Sequence, residues 1–272
     1  LKAYRTDLEQ AFGKIEDNAN NSASFTESEV TVLIRQALNK WAPLSLSSKN
    51  RKSATLKSFF GWVFQERLTE RDLSSQIVCP KVPKKMPHFL SVDEAMAVLS
   101  SFDGKDKRVH NLREKALFLL LYGGGLRVSE ACTLKWKNVH TATRSLRLLG
   151  KGQKERLVIL PNLAMSVLQN LRSFDDGEFV FGGDKALDPR TAYEWVRTRG
   201  AKAHLMKPLH PHALRHSFAT HLLSSGANLR TLQELLGHES LQATEKYTHL
   251  GVDQLARTLE NHHPLSQSKN KL

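Results

Sequence analysis

Between residues 79 and 91 the chain reads CPKVPKKMPHFLS. Three prolines (Pro80, Pro83, Pro87) and three lysines (Lys81, Lys84, Lys85) share this short window. Proline lacks a backbone N–H and clashes with the preceding helical turn, so no helix runs through it. The stretch divides the chain, with a boundary near residue 86. We expect a small N-terminal unit over 1–80, a basic linker over 81–90 and a larger unit over 91–272. The linker's charge suits a strap against phosphates, although a plain solvated loop has the same composition.

The N-terminal unit is expected to be all-α. LKAYRTDLEQAFGKI spaces Leu1, Tyr4, Leu8, Phe12 and Ile15 three and four apart, the stripe of an amphipathic helix. FTESEVTVLIRQALNKWA opens with Thr26 and carries Glu29 three residues on, the pattern of a capping box. SLSSKNRKSATLKSFFGWVFQERL predicts a third helix, and DLSSQI at 72–77 a short turn.

The larger unit is expected to be mostly helical with a small antiparallel sheet. Ser91 and Glu94 repeat the capping box before an apolar run. ALFLLLY at 116–122 is apolar on every side, as in a buried helix, and falls short of the ~18 residues of a membrane span. Gly123–Gly125 should break that helix, and a new one should start near Val128. Two β-prone runs flank Gly150-Lys151-Gly152-Gln153, which predicts a hairpin. NLAMSVLQNLRSF, TAYEWVRTRGAKA and LRTLQELLGHES continue as helices. In the tail, Leu250, Leu255 and Leu259 mark an amphipathic helix, and the last dozen residues, rich in Ser, Lys and Asn, are expected to be disordered.

Charge narrows the partners. Lys and Arg exceed Asp and Glu by 40 − 27 = 13, which favours a polyanion, either nucleic acid or an anionic membrane surface. Cys79 and Cys132 make neither a disulfide framework nor a zinc ribbon and fit a reducing, cytoplasmic setting. No signal peptide is legible, and the start at Leu1 rather than Met leaves room for a short preceding piece.

The densest chemistry lies in HPHALRHSFATHLL at 210–223, with four histidines and one arginine. On a helical wheel Leu214, Phe218 and Leu222 share one side with His221 nearby, while His212, Arg215, His216 and Ala219 share the other. His212 and Arg215, three apart, can address one target. His212 and His216 have the spacing of zinc helices, but position 213 is Ala rather than Glu and Arg215 would set a cation beside the ion. A phosphate fits better than a metal. Elsewhere GLRVSE offers Arg127 and Glu130, the hairpin tip Lys151 with Lys154 as a competitor, LLGHES His238, and EKYTHL Tyr247. Arginine's planar fork holds two phosphate oxygens, lysine and histidine move protons, and an assisted tyrosine can be a nucleophile.

The series GLRVSE, GKGQKERLVIL, HPHALRHSFATHLL and LLGHESLQATEKYTHL resembles the tyrosine recombinase (phage integrase) family, and within it the Xer type. LKAYRTDLEQAF, LKSFFGWVFQERL and PKVPKKMPHFLS resemble that family's N-terminal DNA-clamping domain and linker. The resemblance implies that Arg127 and Arg215 hold the scissile phosphate and that Lys151 protonates the leaving 5′ oxygen. His212 would act as acid/base, His238 would hydrogen-bond the phosphate, and Tyr247 would attack to give a 3′-phosphotyrosyl link. Glu130 would orient the cluster and His216 would support the helix. It further implies a double-stranded DNA site with inverted half-sites, a homo- or hetero-tetramer, room for an activating protein, a cytoplasmic location, and no cofactor, metal or membrane embedding. The terminal helix would dock on a neighbouring protomer, whereas its pattern alone fits packing on its own domain equally well. GGDKALDPRTAYEWVRT departs from the family's usual approach to its helix and leaves the local DNA contacts open.

Chromosome-dimer resolution is the leading expectation, and a phage or transposon integrase would use the same chemistry. A non-catalytic DNA-binding protein would not need the Arg–Lys–His–Arg–His–Tyr set. A metal-dependent nuclease would need a carboxylate cluster that is absent beside the histidines.

Overall fold

A computed structural model of the chain describes residues 2–13, 26–83, 89–102, 109–149, 155–174, 176–236 and 249–267. It divides into two compact units, 1–86 and 87–272.

The first unit contains α1 (Lys2–Phe12), α2 (Glu27–Lys40), α3 (Leu46–Gln65) and a 3-10 turn at Leu73–Gln76. The Thr26 capping box is present at the start of α2. Ile34, Ala37, Trp41, Leu56, Phe60, Leu73 and Ile77 form the core. The expected stripe on α1 needs correction. Tyr4 is 51% exposed and Phe12 37%, while Asp7 is 1% exposed; Leu1 and Ile15 lie outside the described residues. Leu8 packs inward as expected, but beside Ala11 and Asp7. The Asp7 carboxylate accepts from both terminal nitrogens of Arg51, from Lys52 at 2.9 Å and from the Thr55 hydroxyl at 3.1 Å. Burial opposes its ionisation, but the hydrogen bonds from Arg51 and Lys52 outweigh it and hold its pKa below the ordinary value. Partners 44 to 48 residues away therefore overrode the local period.

The second unit opens with α4 (Val92–Ser100), α5 (Val109–Gly123) and α6 (Val128–Cys132). A 3-10 turn at Trp136–Asn138 leads into β1 (Val139–His140), β2 (Ser145–Leu149) and β3 (Glu155–Ile159). Then follow α7 (Asn162–Arg172), α8 (Pro189–Lys202), α9 (Pro211–Ser224), α10 (Leu229–Leu236), α11 (His249–His262) and α12 (Pro264–Gln267). The antiparallel sheet has the order β1-β2-β3, and β2 pairs β3 from Ser145 with Ile159 to Leu149 with Glu155. Ser91 and Glu94 cap α4 as expected.

Helix α5 is the axle. Residues 116–122 are at most 3% exposed, so this helix is enclosed by its neighbours α7, α8 and α9. It stops where the glycines begin. Gly125 has φ +61°, and a Cβ there would sit 2.6 Å from the Phe218 ring. The chain thus needs glycine both for the turn and for its approach to α9.

A second cluster joins Ile159 of β3, Phe218 and Leu222 of α9, Leu232 and Leu235 of α10, and Leu255 and Leu259 of α11. In this chain α11 packs on its own unit. The expected disorder does not begin at residue 261. His263 is fully buried and Leu265 is 4% exposed, because α12 seats on the main core beside α7. Among the described residues, no helix is long and apolar enough to cross a membrane.

Candidate active site

The glycine break sets up the site. Beyond it, Arg127 takes the N-cap position of α6. Its backbone N–H donates to Glu130 Oε2 at 2.7 Å, and its Nη1 donates to Oε1 at 3.0 Å. The Glu130 side chain is 8% exposed, while that of Arg127 is 45% exposed and open to an incoming group. A carboxylate in the first turn also complements the helix dipole.

Helix α9 supplies Arg215. The wheel expected from the sequence is the one observed: Leu214, Phe218 and Leu222 are at most 1% exposed and His221 is buried. His212 and His216 are exposed, and Arg215 and Ala219 are half-buried. Arg215 donates through Nη1 to the Gly125 carbonyl and through Nη2 to the Leu236 carbonyl at 2.9 Å. It therefore joins the glycine break to the last turn of α10.

Strand β3 adds Arg156, which the sequence reading missed. Its Nη2 donates to Glu130 Oε2 at 2.7 Å and its Nη1 to the Leu235 carbonyl at 3.0 Å. The legible signal was register: Arg156 lies two residues from Val158, and a charge in the buried register of a strand is unusual.

These groups share one electrostatic environment. Burial, then Arg156 and Arg127, lower the Arg215 pKa to about 10, against a smaller opposing pull from Glu130. The guanidinium still carries its charge at neutral pH. Burial pushes the Glu130 carboxyl up, but Arg156 and Arg127 together draw it below its ordinary value. Three guanidiniums against one carboxylate leave 3 − 1 = 2 positive charges in a half-buried setting. Such a surplus calls for an anion with several oxygens.

A family model, described as the phage integrase family, matches residues 88–253. The chain belongs to that family. Its relatives include a tyrosine recombinase XerC from Myxococcus xanthus, 38% identical over 80% of this chain and 76% of the other. A tyrosine recombinase XerD from Staphylococcus aureus is 32% identical over 97% of this chain and 92% of that one. Among solved structures, the XerH site-specific recombinase bound to a palindromic difH substrate, a post-cleavage complex, is 25% identical. It aligns with a TM-score of 0.63 over 93% of this chain and 76% of that one. The chain is a tyrosine recombinase.

In this recombinase the structure brings together Arg127, Glu130 and Arg215 of the residues singled out from the sequence. His212 is exposed in the first turn of α9, just after His210, whose Nδ1 accepts the Ala213 N–H at 3.1 Å. His216 sets its ring against Phe89 edge-on at 5.9 Å. Lys151, His238 and Tyr247 lie outside the described residues, as do the hairpin tip and the competing Lys154. Four described elements border them: β2 and β3 around the tip, α10 ending at Leu236, and α11 starting at His249. Among the described residues no group of three or more His, Cys, Asp or Glu converges to hold a metal ion.

Proposed function

We propose that this recombinase breaks and rejoins DNA at paired sites by the Xer route, with Tyr247 as nucleophile. The observation that carries the reading is the convergence of Arg127 and Arg215 beside one carboxylate, with surplus positive charge. In the proposed reaction these two arginines hold the non-bridging oxygens of the scissile phosphate. Their forked N–H groups stabilise the charge that builds as Tyr247 attacks. Lys151 protonates the departing 5′ oxygen, His212 serves as acid/base near the tyrosine, and His238 hydrogen-bonds the phosphate. The product is a 3′-phosphotyrosyl link and a free 5′ hydroxyl. A 5′ hydroxyl from a partner strand then attacks the link and releases the tyrosine. The phosphoester energy is kept throughout, so no ATP is needed, and the arginines supply the charge that a metal ion would otherwise bring.

The resemblance to XerC and XerD supports strand exchange through a Holliday junction in a tetramer, on a site with inverted half-sites like the palindromic substrate of XerH. It supports chromosome-dimer resolution as the role. Residues 1–80 and the basic 81–90 stretch would clamp the DNA, and α11 with α12 would dock on a neighbouring protomer during assembly. The whole chain's charge excess of 40 − 27 = 13 fits DNA contacts from both units, and DNA affinity should fall steeply with added salt as counterions are released.

The test incubates the protein and its Tyr247→Phe variant with fragmented DNA from its own source in EDTA, followed by denaturing gels. A covalent protein–DNA band that requires Tyr247 is expected, and sequencing the trapped DNA would give the site. Salt-sensitive binding without such a band, even with cell extract added, would reduce the protein to a DNA binder.

A further inference from the structure

Arg156 lies in the buried register of β3, with 7% of its surface exposed. A guanidinium is costly to bury, and purely structural ones are usually fully met by acceptors. Arg156 is not: its Nε is buried with no hydrogen-bond partner among the described residues. Its two terminal nitrogens instead reach different elements, Glu130 in α6 and the Leu235 carbonyl at the end of α10. Glu130 Oε2 is shared between Arg156 and the backbone N–H of Arg127, while Oε1 takes the Arg127 side chain. Whatever fixes this carboxylate therefore fixes both the backbone and the guanidinium of Arg127.

We propose that Arg156 is a positioning residue for strand cleavage, acting through the Glu130 carboxylate that orients Arg127. The inference rests on the function proposed above and adds a residue to it. The two arginines Arg156 and Arg215 cap successive carbonyls, Leu235 and Leu236, at the point where α10 gives way to the His238 and Tyr247 segment. A lysine would keep the charge, but its point ammonium could not replace a planar fork that spans two acceptors.

The groups that face Glu130 among the described residues are Arg127, Arg156 and, from α9, Arg215. Burial alone would raise its carboxyl, and the Arg156 charge is the largest force drawing it down. Without Arg156 the carboxyl takes up a proton at a higher pH, and Arg127 loses its charged partner.

The experiment measures the initial rate of covalent adduct formation on fragmented DNA from the protein's own source, in EDTA. It compares wild type, Arg156→Gln, Arg156→Lys, Glu130→Gln and the Glu130→Gln/Arg156→Gln double variant. Rates are taken from about pH 6 to about pH 9 and divided by the DNA bound at each pH. Arg156→Gln should lose about 10- to 100-fold per bound DNA, and its rate should fall toward acid at a higher pH than the wild type's. Arg156→Lys should be intermediate without that displacement. The double variant should be no slower than Glu130→Gln, since Arg156 then has no carboxylate to hold. It removes both buried partners together, so it carries the test if Arg156→Gln fails to fold. Wild-type rates in Arg156→Gln, or a double variant far slower than Glu130→Gln, would overturn the inference alone. Absence of a Tyr247-dependent adduct in the wild type would overturn the proposed function, and this inference with it.

Discussion

Each unit of the molecule buries a carboxylate among cations, and the two clusters are built to opposite ends. In the first, Asp7 collects Arg51, Lys52 and Thr55, and Lys52 also donates to Gln10 and lies over the Trp41 ring. Its outer cation, Arg51, is 53% exposed and keeps its contact with water. In the second, Glu130 is outnumbered by Arg127, Arg156 and Arg215, two of which use backbone carbonyls as further partners. The first ties α1 to α3 and keeps 2 − 1 = 1 positive charge, with Arg51 open to water. The second keeps 3 − 1 = 2 in a half-buried setting. A buried ion cluster is read as structure or as site by its charge balance, not by its presence.

The sharpest way to break this comparison is to remove one cation from the open cluster. Arg215→Gln should slow covalent adduct formation by about 100- to 1,000-fold, because it removes a charged fork from the proposed phosphate site. Stability should change less than activity, since the loss of two carbonyl contacts is offset by relief of repulsion with Arg156 and Arg127. Adduct gels beside a thermal melt check both halves. Near-normal cleavage with a collapsed melt would make Arg215 structural and erase the contrast.

The Asp7 cluster should answer the other way. Asp7→Ala should destabilise the first unit by about 3 kcal/mol, because it takes the anionic partner from the buried Lys52 ammonium. Urea melts should show it directly. The same group gives a pH signature. Its folded pKa lies below the ordinary aspartate value, so its stabilisation is full above about pH 4 and is lost as the pH falls through the lower, folded value. Acid titration should therefore unfold the wild-type unit over a range in which Asp7→Ala is flatter.

These clusters also mark where the sequence was legible. The caps at Thr26 and Ser91 could be read because donor and acceptor lie three residues apart. The enclosure of α5 followed from its unbroken apolar run, and the two faces of α9 from periodicity. The pairing of β2 with β3 was visible in the glycines between them. Asp7 and Arg156 were hidden for a common reason: each partner is contributed by tertiary structure, from 26 to 79 residues away. The buried set formed by Tyr122, His221 and His263 was hidden in the same way. The Tyr122 hydroxyl meets His221 Nδ1 at 2.9 Å, and His263 Nε2 donates to the Tyr122 carbonyl at 3.0 Å. Of the site, Arg127, Glu130 and Arg215 were legible through motif resemblance, which carries tertiary information that composition lacks.

A smaller effect tests the scaffold of the open cluster. Gly125→Ala should cost about 2 kcal/mol, through its positive φ and the Phe218 ring 2.6 Å from the added carbon. Because the Gly125 carbonyl is an acceptor for Arg215, cleavage should fall as well. A melt that drops while adduct formation stays constant would show that the break and the arginine are mechanically independent.

The smallest effect is the control that makes the first comparison strict. Glu9 lies two residues from Asp7 on α1 and also pairs with an arginine, Arg5, at 2.7 Å. That pair spans one helical turn, and its arginine is 69% exposed, so water screens the attraction and holding two long side chains costs entropy. Glu9→Ala should therefore change stability by no more than about 0.5 kcal/mol. Sequence position, helix and charge type are nearly matched between Glu9 and Asp7, so burial is the variable that remains. If the two substitutions cost the same in urea melts, the Asp7 knot is worth no more than a surface pair, and the packing of Leu8 and Ala11 alone secures α1.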